Sequence, residues 1–168
     1  SRLSLLIRLY HPARIYTVFR VLLTIFLLIR RRSHWLGVTP LAPEQLLSAI
    51  ERLGASFIKL AQVLATRADF FDEGYLVSLR QLHDQLPPMT EQDFLEVFAR
   101  AFGARDCFSY FDEEPFACAS IGQVHRARLQ NGDQVAVKLR RNQIELVVRE
   151  DIRLLGWFLA LLKPLFSE

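Results

Sequence analysis

The sequence predicts an α+β fold, in which a helical N-terminal part is followed by antiparallel strands and a final helix. Apolar residues recur at helical spacing between residues 44 and 102, and two alternating runs flank Asn131-Gly132, the strongest short-range signal for a β-hairpin. Hydrophobic residues make up 51% of the 168 residues and charged residues 23%, which excludes a disordered tail. We expect three segments, residues 1–43, 44–106 and 107–168.

The first segment, residues 1–43, is basic and apolar. It carries seven arginines and no acidic residue, whereas 14 basic and 18 acidic residues follow from Glu44 onward. Its apolar run, residues 15–29, is shorter than the roughly 20 residues that a helix needs to cross a bilayer, but arginines among apolar residues suit an anionic membrane surface. We therefore expect a membrane-associating segment. Such a run is equally typical of a buried core helix or of a helix that docks on a partner, and the sequence leaves these alternatives open.

The second segment, residues 44–106, has the apolar spacing of helices. One long helix is expected from residue 44 to residue 71, and Lys59 and Gln62 fall on its polar face. The residues expected on its apolar face are Phe57, Leu60, Ala61, Leu64, Ala68 and Phe71. A later helix is expected to begin after Thr90, a good N-terminal cap, and to end at Gly103.

The third segment, residues 107–168, changes from strands to a helix. Alternating runs predict two strands around Asn131-Gly132, and a long helix is expected to end near Pro164. The side chains of that helix expected to face a core are Ile144, Val147, Val148, Ile152, Leu155 and Leu159.

A phosphate-binding signature lies in the third segment. The glycine-rich loop of protein kinases has the pattern G-x-G-x-x-G-x-V. Eight residues align with it one for one: Ala117, Cys118, Ala119, Ser120, Ile121, Gly122, Gln123 and Val124. Fourteen residues later, the motif VAVK ends in Lys138, at the place of the kinase lysine that holds the α- and β-phosphates. We expect these nine residues to bind nucleotide, with Lys138 in the catalytic role, although a lysine on a hairpin taken alone would be a solvated surface residue.

Two of the three loop glycines are replaced by alanine, at Ala117 and Ala119. Glycine permits positive φ and a close approach of backbone N–H groups to phosphates, whereas a Cβ restricts the backbone and occupies space beside the ligand. We expect an alanine loop to bind nucleotide in an altered pose that disfavours phosphate transfer to a protein.

These motifs together resemble the UbiB family of atypical, kinase-like proteins linked to ubiquinone biosynthesis. The stretch ACASIGQVH at 117–125 is similar to the family's alanine-rich loop A-A-A-S-I-G-Q-V-H, and KLAQ at 59–62 is similar to its K-x-G-Q helix. LATRADFF and LHDQLPPM also look like family sequence, and the resemblance covers most of residues 44–162. The chain departs from the family pattern at Ala61, where the motif has glycine, and at Cys118, where the loop has alanine.

The resemblance implies that residues 107–168 form a partial protein-kinase-like small lobe with antiparallel strands. It implies a full-length atypical kinase or ATPase that binds ATP with Mg²⁺ and supports the synthesis of quinone lipids. Lys59 and Gln62 would then act as regulatory residues, on a helix that in the family packs over the active-site cleft. Other implied partners are membrane lipids, quinone precursors and quinone-biosynthesis proteins, at the cytoplasmic face of a bacterial membrane or at an organellar inner membrane.

Several functions are not expected. The basic charge lies in an apolar segment, which does not suit nucleic acid. The metal-binding Asp of D-F-G and the catalytic-loop Asp and Asn do not occur, so we expect the Mg²⁺ ligands to lie outside this chain and the chain alone to be inactive. The alternative is a non-enzymatic, membrane-associated binding module on a pseudokinase-like scaffold. Glu150 and Asp151 are not expected to be catalytic, His125 is expected to pack or to form hydrogen bonds, and Cys118 to fill a position for a small residue.

Overall fold

A computed structural model of the chain describes residues 1–82 and 86–165. Its helices are α1 Arg2–Leu9, α2 Pro12–Ile29, α3 Pro43–Leu53, α4 Ala55–Leu64, α5 Glu73–Arg80, α6 Glu91–Phe102 and α7 Ile144–Leu162, and its strands are β1 Phe108–Phe111, β2 Ala117–Cys118, β3 Gly122–Leu129 and β4 Gln134–Arg140. The α+β fold class is confirmed. By its contacts the chain forms two compact units: unit 1 is Ser1–His83 with Glu145–Glu168, and unit 2 is Asp84–Ile144. The three segments expected from the sequence divide the chain by role, and that division stays a prediction.

The apolar run at residues 15–29 lies within α2. The helix begins at Pro12, whose fixed φ suits the first turn, and the side chain of His11 accepts a hydrogen bond from the N–H of Ala13. Its buried residues are Val18, Val21, Leu22, Leu23, Thr24, Ile25, Phe26 and Leu27. Within residues 1–82 and 86–165, α2 is the one helix that by length and composition is able to cross a membrane. In this structure eight of its 18 residues are buried.

The prediction of a single helix from residue 44 to residue 71 is wrong, because the helix is interrupted at Gly54. Gly54 has a φ of 94°, a backbone conformation that residues with a Cβ rarely adopt. It therefore ends α3 and immediately precedes α4. Phe57 and Ala61 are buried as expected, but α4 ends at Leu64 and Ala68 is exposed outside it.

The long helix expected near the end of the chain is confirmed as α7, but its buried face was predicted wrongly. Ile152 is 62% exposed and Leu159 is 49% exposed. The residues that are buried are Glu150, Asp151, Leu154, Phe158 and Leu162. The spacing of apolar residues did not reveal the burial of these two acidic residues, which Tyr10 and Arg14 make possible as hydrogen-bond partners.

Unit 2 consists of helix α6 on one face of a four-stranded antiparallel sheet. The Thr90 hydroxyl accepts a hydrogen bond from the N–H of Asp93 at 3.2 Å, and Gly103 ends the helix with a φ of 66°, both as predicted. The central strand is β3: β4 pairs along one edge, and β1 and β2 pair with different parts of the other. The predicted hairpin is the turn between β3 and β4, where Gly132 has a φ of 94°.

The side of the sheet that faces α6 is apolar and aromatic. Its buried cluster contains Phe94, Val97, Phe98, Phe108, Phe111, Ala127 and Leu139. The rings of Phe98 and Phe111 meet edge to face with centroids 4.9 Å apart, a favourable geometry for aromatic pairs. Because side chains alternate along a strand, the residues between these core positions point to the opposite face of the sheet. That second face carries Val124 and Lys138, two of the residues predicted to bind nucleotide, whereas Gln123, another of them, lies on the side that faces α6.

Candidate nucleotide-binding site

The alanine-rich segment forms a tight hairpin between β2 and β3. Cys118 lies opposite Gln123, and the N–H of Ala119 donates to the carbonyl oxygen of Gly122 at 2.7 Å, so a two-residue turn closes the hairpin. Positive φ among the described residues occurs elsewhere in the chain and at none of residues 117–122. The turn therefore does not need the backbone freedom of glycine, and Ala117 and Ala119 cause no backbone strain.

Gly122, the one glycine kept from the kinase pattern, is needed for a different reason. A Cβ built on Gly122 would lie 2.6 Å from the carbonyl oxygen of Leu139, a backbone atom of β4. Side-chain atoms do not approach backbone atoms this closely, so an alanine here would force β3 and β4 apart beside the hairpin. Glycine is thus required at this position by the close approach of two strands.

Lys138 lies directly beside the alanine-rich hairpin. It is paired across β3 and β4 with Val124, and the next cross-strand pair on the same face joins Ala136 to Arg126. Lys138 and Ala136 are exposed, and Val124 is partly exposed. The structure thus places Val124 and Lys138 together on the face of the sheet opposite α6, next to the hairpin.

Gln123 and His125 belong to the other face and have structural contacts. The Gln123 side-chain oxygen accepts a hydrogen bond from the N–H of Met89 at 2.7 Å, and its amide nitrogen lies 2.9 Å from Nε2 of His125. Nδ1 of His125 lies 2.8 Å from the carbonyl oxygen of Asp112, which only accepts, so Nδ1 carries the proton and Nε2 accepts from Gln123. His125 is fully buried against the ring of Phe94, so it packs and forms hydrogen bonds, as expected from the sequence.

Arg141, which follows β4 and bonds to this hairpin, was missed from the sequence. Its Nε donates to the carbonyl oxygen of Ala119 at 3.0 Å, its Nη2 to that of Pro87 at 2.7 Å, and its backbone N–H to that of Ile121 at 3.0 Å. Burial lowers the pKa of the Arg141 guanidinium, but arginine stays charged at physiological pH. The sequence did contain a signal for Arg141. Side chains alternate between the two faces along a strand, and Arg141 lies two residues after the core residue Leu139. Continuing the alternation of β4 by one residue therefore places a charged side chain on the core-facing side.

The residues of the K-x-G-Q-like motif lie on α4 in unit 1. Lys59 is exposed, and its Nζ lies 3.4 Å from the side-chain oxygen of Gln62. The side-chain nitrogen of Gln62 donates to the carbonyl oxygen of Leu82 at 3.3 Å. Ala61, in the place of the motif's glycine, is 2% exposed, so its methyl group is part of the core of unit 1. The motif LHDQLPPM is described at Leu82 and from residue 86 onward, and its residues 83–85 lie outside the described part.

The two acidic residues of α7 have partners within unit 1. The Tyr10 hydroxyl donates to Glu150 at 2.5 Å, and Arg14 forms a 2.7 Å salt bridge with Asp151. Burial and the neighbouring Glu150 carboxylate raise the pKa of Tyr10, which keeps its hydroxyl protonated as a donor. These contacts fit a structural role for both carboxylates.

Metal ligands are not clustered in the described residues: no group of three or more His, Cys, Asp or Glu side chains there is arranged to hold a metal ion. Cys107 and Cys118 are free thiols, and Cys118 is a half-buried residue of β2.

Comparison with known proteins identifies relatives over about three quarters of the chain. A family model described as the ABC1 atypical kinase-like domain matches residues 81–168. The chain is 38% identical over 127 residues to "Probable protein kinase UbiB" of Marinobacter nauticus, covering 74% of this chain and 23% of that protein. It is 38% identical over 122 residues to the protein of the same name from Azotobacter vinelandii, covering 71% of this chain and 23% of that protein.

A relative with a different name extends this similarity. An uncharacterized protein encoded in the hydrogenase 1 5' region of Clostridium pasteurianum is 35% identical over 129 residues, which cover 76% of this chain and 24% of that protein. The chain thus spans about a quarter of the length of these relatives.

Proposed function

Because the chain belongs to the family of ABC1 atypical kinase-like proteins, we propose that the face of its sheet opposite α6 binds ATP as part of a longer atypical kinase or ATPase. The observation that carries the proposal is the cross-strand pair of Val124 and Lys138 beside the alanine-rich hairpin. In this proposal the ammonium group of Lys138 contacts phosphate oxygens, and Val124 and Ala136 contact the base.

The chemistry of these residues suits a nucleotide. A phosphate group carries charged acceptor oxygens that an ammonium group attracts as a point charge, and small apolar side chains provide a flat surface for an aromatic base. Alanine at two loop positions suits ATP binding more than fast phosphate transfer to a protein, because each Cβ takes up space beside the phosphates. Mg²⁺ would be held by the phosphates and by groups outside the described residues.

The role of the whole protein is part of the proposal. Relatives over this region carry the name "Probable protein kinase UbiB", and the UbiB family resembled by the motifs is linked to ubiquinone biosynthesis. We place the protein at a membrane surface, where quinone lipids are made. The exposed arginines Arg2 and Arg8 and the exposed apolar side chains of Leu3 and Ile7, all on α1, support this location. Lys59 and Gln62 keep their proposed regulatory role.

The experiment that tests nucleotide binding compares ATP with adenosine. A fluorescent ATP analogue is titrated with the chain and then displaced by unlabelled ATP or by adenosine, which lacks every phosphate. We expect ATP to displace the probe at a concentration about tenfold or more below that of adenosine, because a charge-assisted phosphate contact contributes about 1.5–3 kcal/mol. Equal displacement by ATP and adenosine, or no saturable binding of the probe, would contradict the proposal.

A further inference from the structure

The guanidinium of Arg141 forms a hydrogen bond with the backbone of the alanine-rich hairpin. Its Nε donates to the carbonyl oxygen of Ala119, and the backbone N–H of the same residue donates to the carbonyl oxygen of Ile121. A third bond, from Nη2 to the carbonyl oxygen of Pro87, attaches the hairpin to the segment that precedes α6. One residue therefore holds two carbonyl groups at the tip of the hairpin.

These bonds fix the orientation of two peptide planes. In a trans peptide the C=O of one residue and the N–H of the next point in opposite directions, and the structure has no cis peptide bond among its described residues. Holding the carbonyl of Ala119 toward Arg141 therefore directs the N–H of Ser120 away from it. Holding the carbonyl of Ile121 toward β4 directs the N–H of Gly122 to the opposite side of its own plane.

The orientation of backbone N–H groups matters at this position. Successive N–H groups in a turn form a concave surface for anions, and their partial positive charges attract phosphate only when they point at it. Hydrogen bonds from a charged donor are shorter and stronger than those between neutral groups, and a half-buried guanidinium has lost part of its hydration. Arg141 is therefore well placed to keep the hairpin tip in one conformation.

We propose that Arg141 is a positioning residue that orients the backbone amides of the alanine-rich hairpin and so determines the affinity of the site for phosphate groups. The proposal rests on the proposed function, because it assumes that the hairpin contacts a nucleotide. A lysine cannot replace Arg141 in this role, since a single ammonium group lacks the planar fork that reaches both Ala119 and Pro87.

The test measures the affinities of Arg141→Lys and Arg141→Gln for ATP and for adenosine, again by displacement of the fluorescent ATP analogue. We expect both variants to bind ATP about tenfold more weakly and adenosine within about twofold of the unaltered chain, because the nucleoside has no phosphate for the amides to contact. A purely structural role would weaken both ligands together, so the ratio of the two affinities identifies a positioning role.

The matched control is Arg100→Lys, which changes an exposed arginine of α6 in the same unit that bonds to Asn142 and not to the hairpin. We expect it to leave both affinities unchanged. Arg141 variants that keep the ATP preference, or that lose ATP and adenosine binding equally, would overturn the inference while leaving the proposed function in place. An unaltered chain without any preference for ATP would overturn both.

Discussion

Replacing Lys138 by alanine is expected to weaken ATP binding by about tenfold to a hundredfold, while adenosine binding stays nearly unchanged. Lys138 is exposed on the face of the sheet opposite the core, so its side chain is available to a ligand and is not needed for packing. A charge-assisted contact with phosphate contributes about 1.5–3 kcal/mol, which corresponds to this range of affinity. The measurement is displacement of a fluorescent ATP analogue from the variant and from the unaltered chain.

The chain offers a matched control for this variant. Lys163→Ala removes the same exposed side chain from unit 1, at a position without a predicted ligand contact. We expect it to bind ATP like the unaltered chain, and both variants to unfold at nearly the unaltered temperature, because exposed substitutions usually change stability by less than about 0.5 kcal/mol. Unweakened ATP binding in Lys138→Ala would remove the phosphate role of Lys138 and favour the alternative of a non-enzymatic binding module.

Replacing Arg14 by methionine is expected to destabilise unit 1 by about 3–5 kcal/mol, the largest stability effect predicted for this chain. Arg14 forms a 2.7 Å salt bridge with Asp151, and the side chains are 14% and 2% exposed. The variant would leave the Asp151 carboxylate buried without its cation, and an unpaired buried charge costs about this much. The measurement is unfolding in urea, followed by the circular dichroism of the helices, which belong mainly to unit 1.

A double variant separates the cost of the unpaired charge from the loss of packing. Arg14→Met combined with Asp151→Leu removes both charges and keeps apolar volume, and such replacements of a buried ion pair are often neutral or stabilising. We expect the double variant to recover most of the stability lost by Arg14→Met. Unchanged stability in Arg14→Met alone would show that the salt bridge does not hold α7 in unit 1.

The features of the fold that were predictable are those that depend on neighbours in sequence. Thr90 and Gly103 delimit α6 through local hydrogen bonds and a positive φ. Asn131-Gly132 favours a hairpin turn through the backbone preferences of these two residues alone. The interruption at Gly54 was missed because apolar residues recur at helical spacing on both sides of it. This spacing alone does not reveal a residue with positive φ between two helices. The buried face of α7 was missed because Tyr10 and Arg14, which bond to Glu150 and Asp151, lie more than a hundred residues away in sequence.

The pairing of Val124 with Lys138 in the candidate site was predictable from the sequence, whereas the contacts that hold the alanine-rich hairpin were not. The order of loop, hairpin and Lys138 places Val124 and Lys138 on adjacent strands, and the structure pairs them directly. The sequence suggested that alanine restricts the loop, whereas the backbone of residues 117–122 has no positive φ, and the steric demand falls on Gly122 instead. The role of Arg141 depends on contacts with Ala119 and Pro87 that no short motif encodes.

The measurement that tests the central claim most directly is a comparison of methyl NMR resonances on the two faces of the sheet during titration with ATP. Val124 and Ala136 lie on the face proposed to bind nucleotide, and Ala127 and Leu139, on the same two strands, are buried against α6. We predict that ATP shifts the methyl resonances of Val124 and Ala136 and leaves those of Ala127 and Leu139 nearly unchanged. Shifts confined to Ala127 and Leu139, or no shift at Val124 and Ala136 at saturating ATP, would contradict the account.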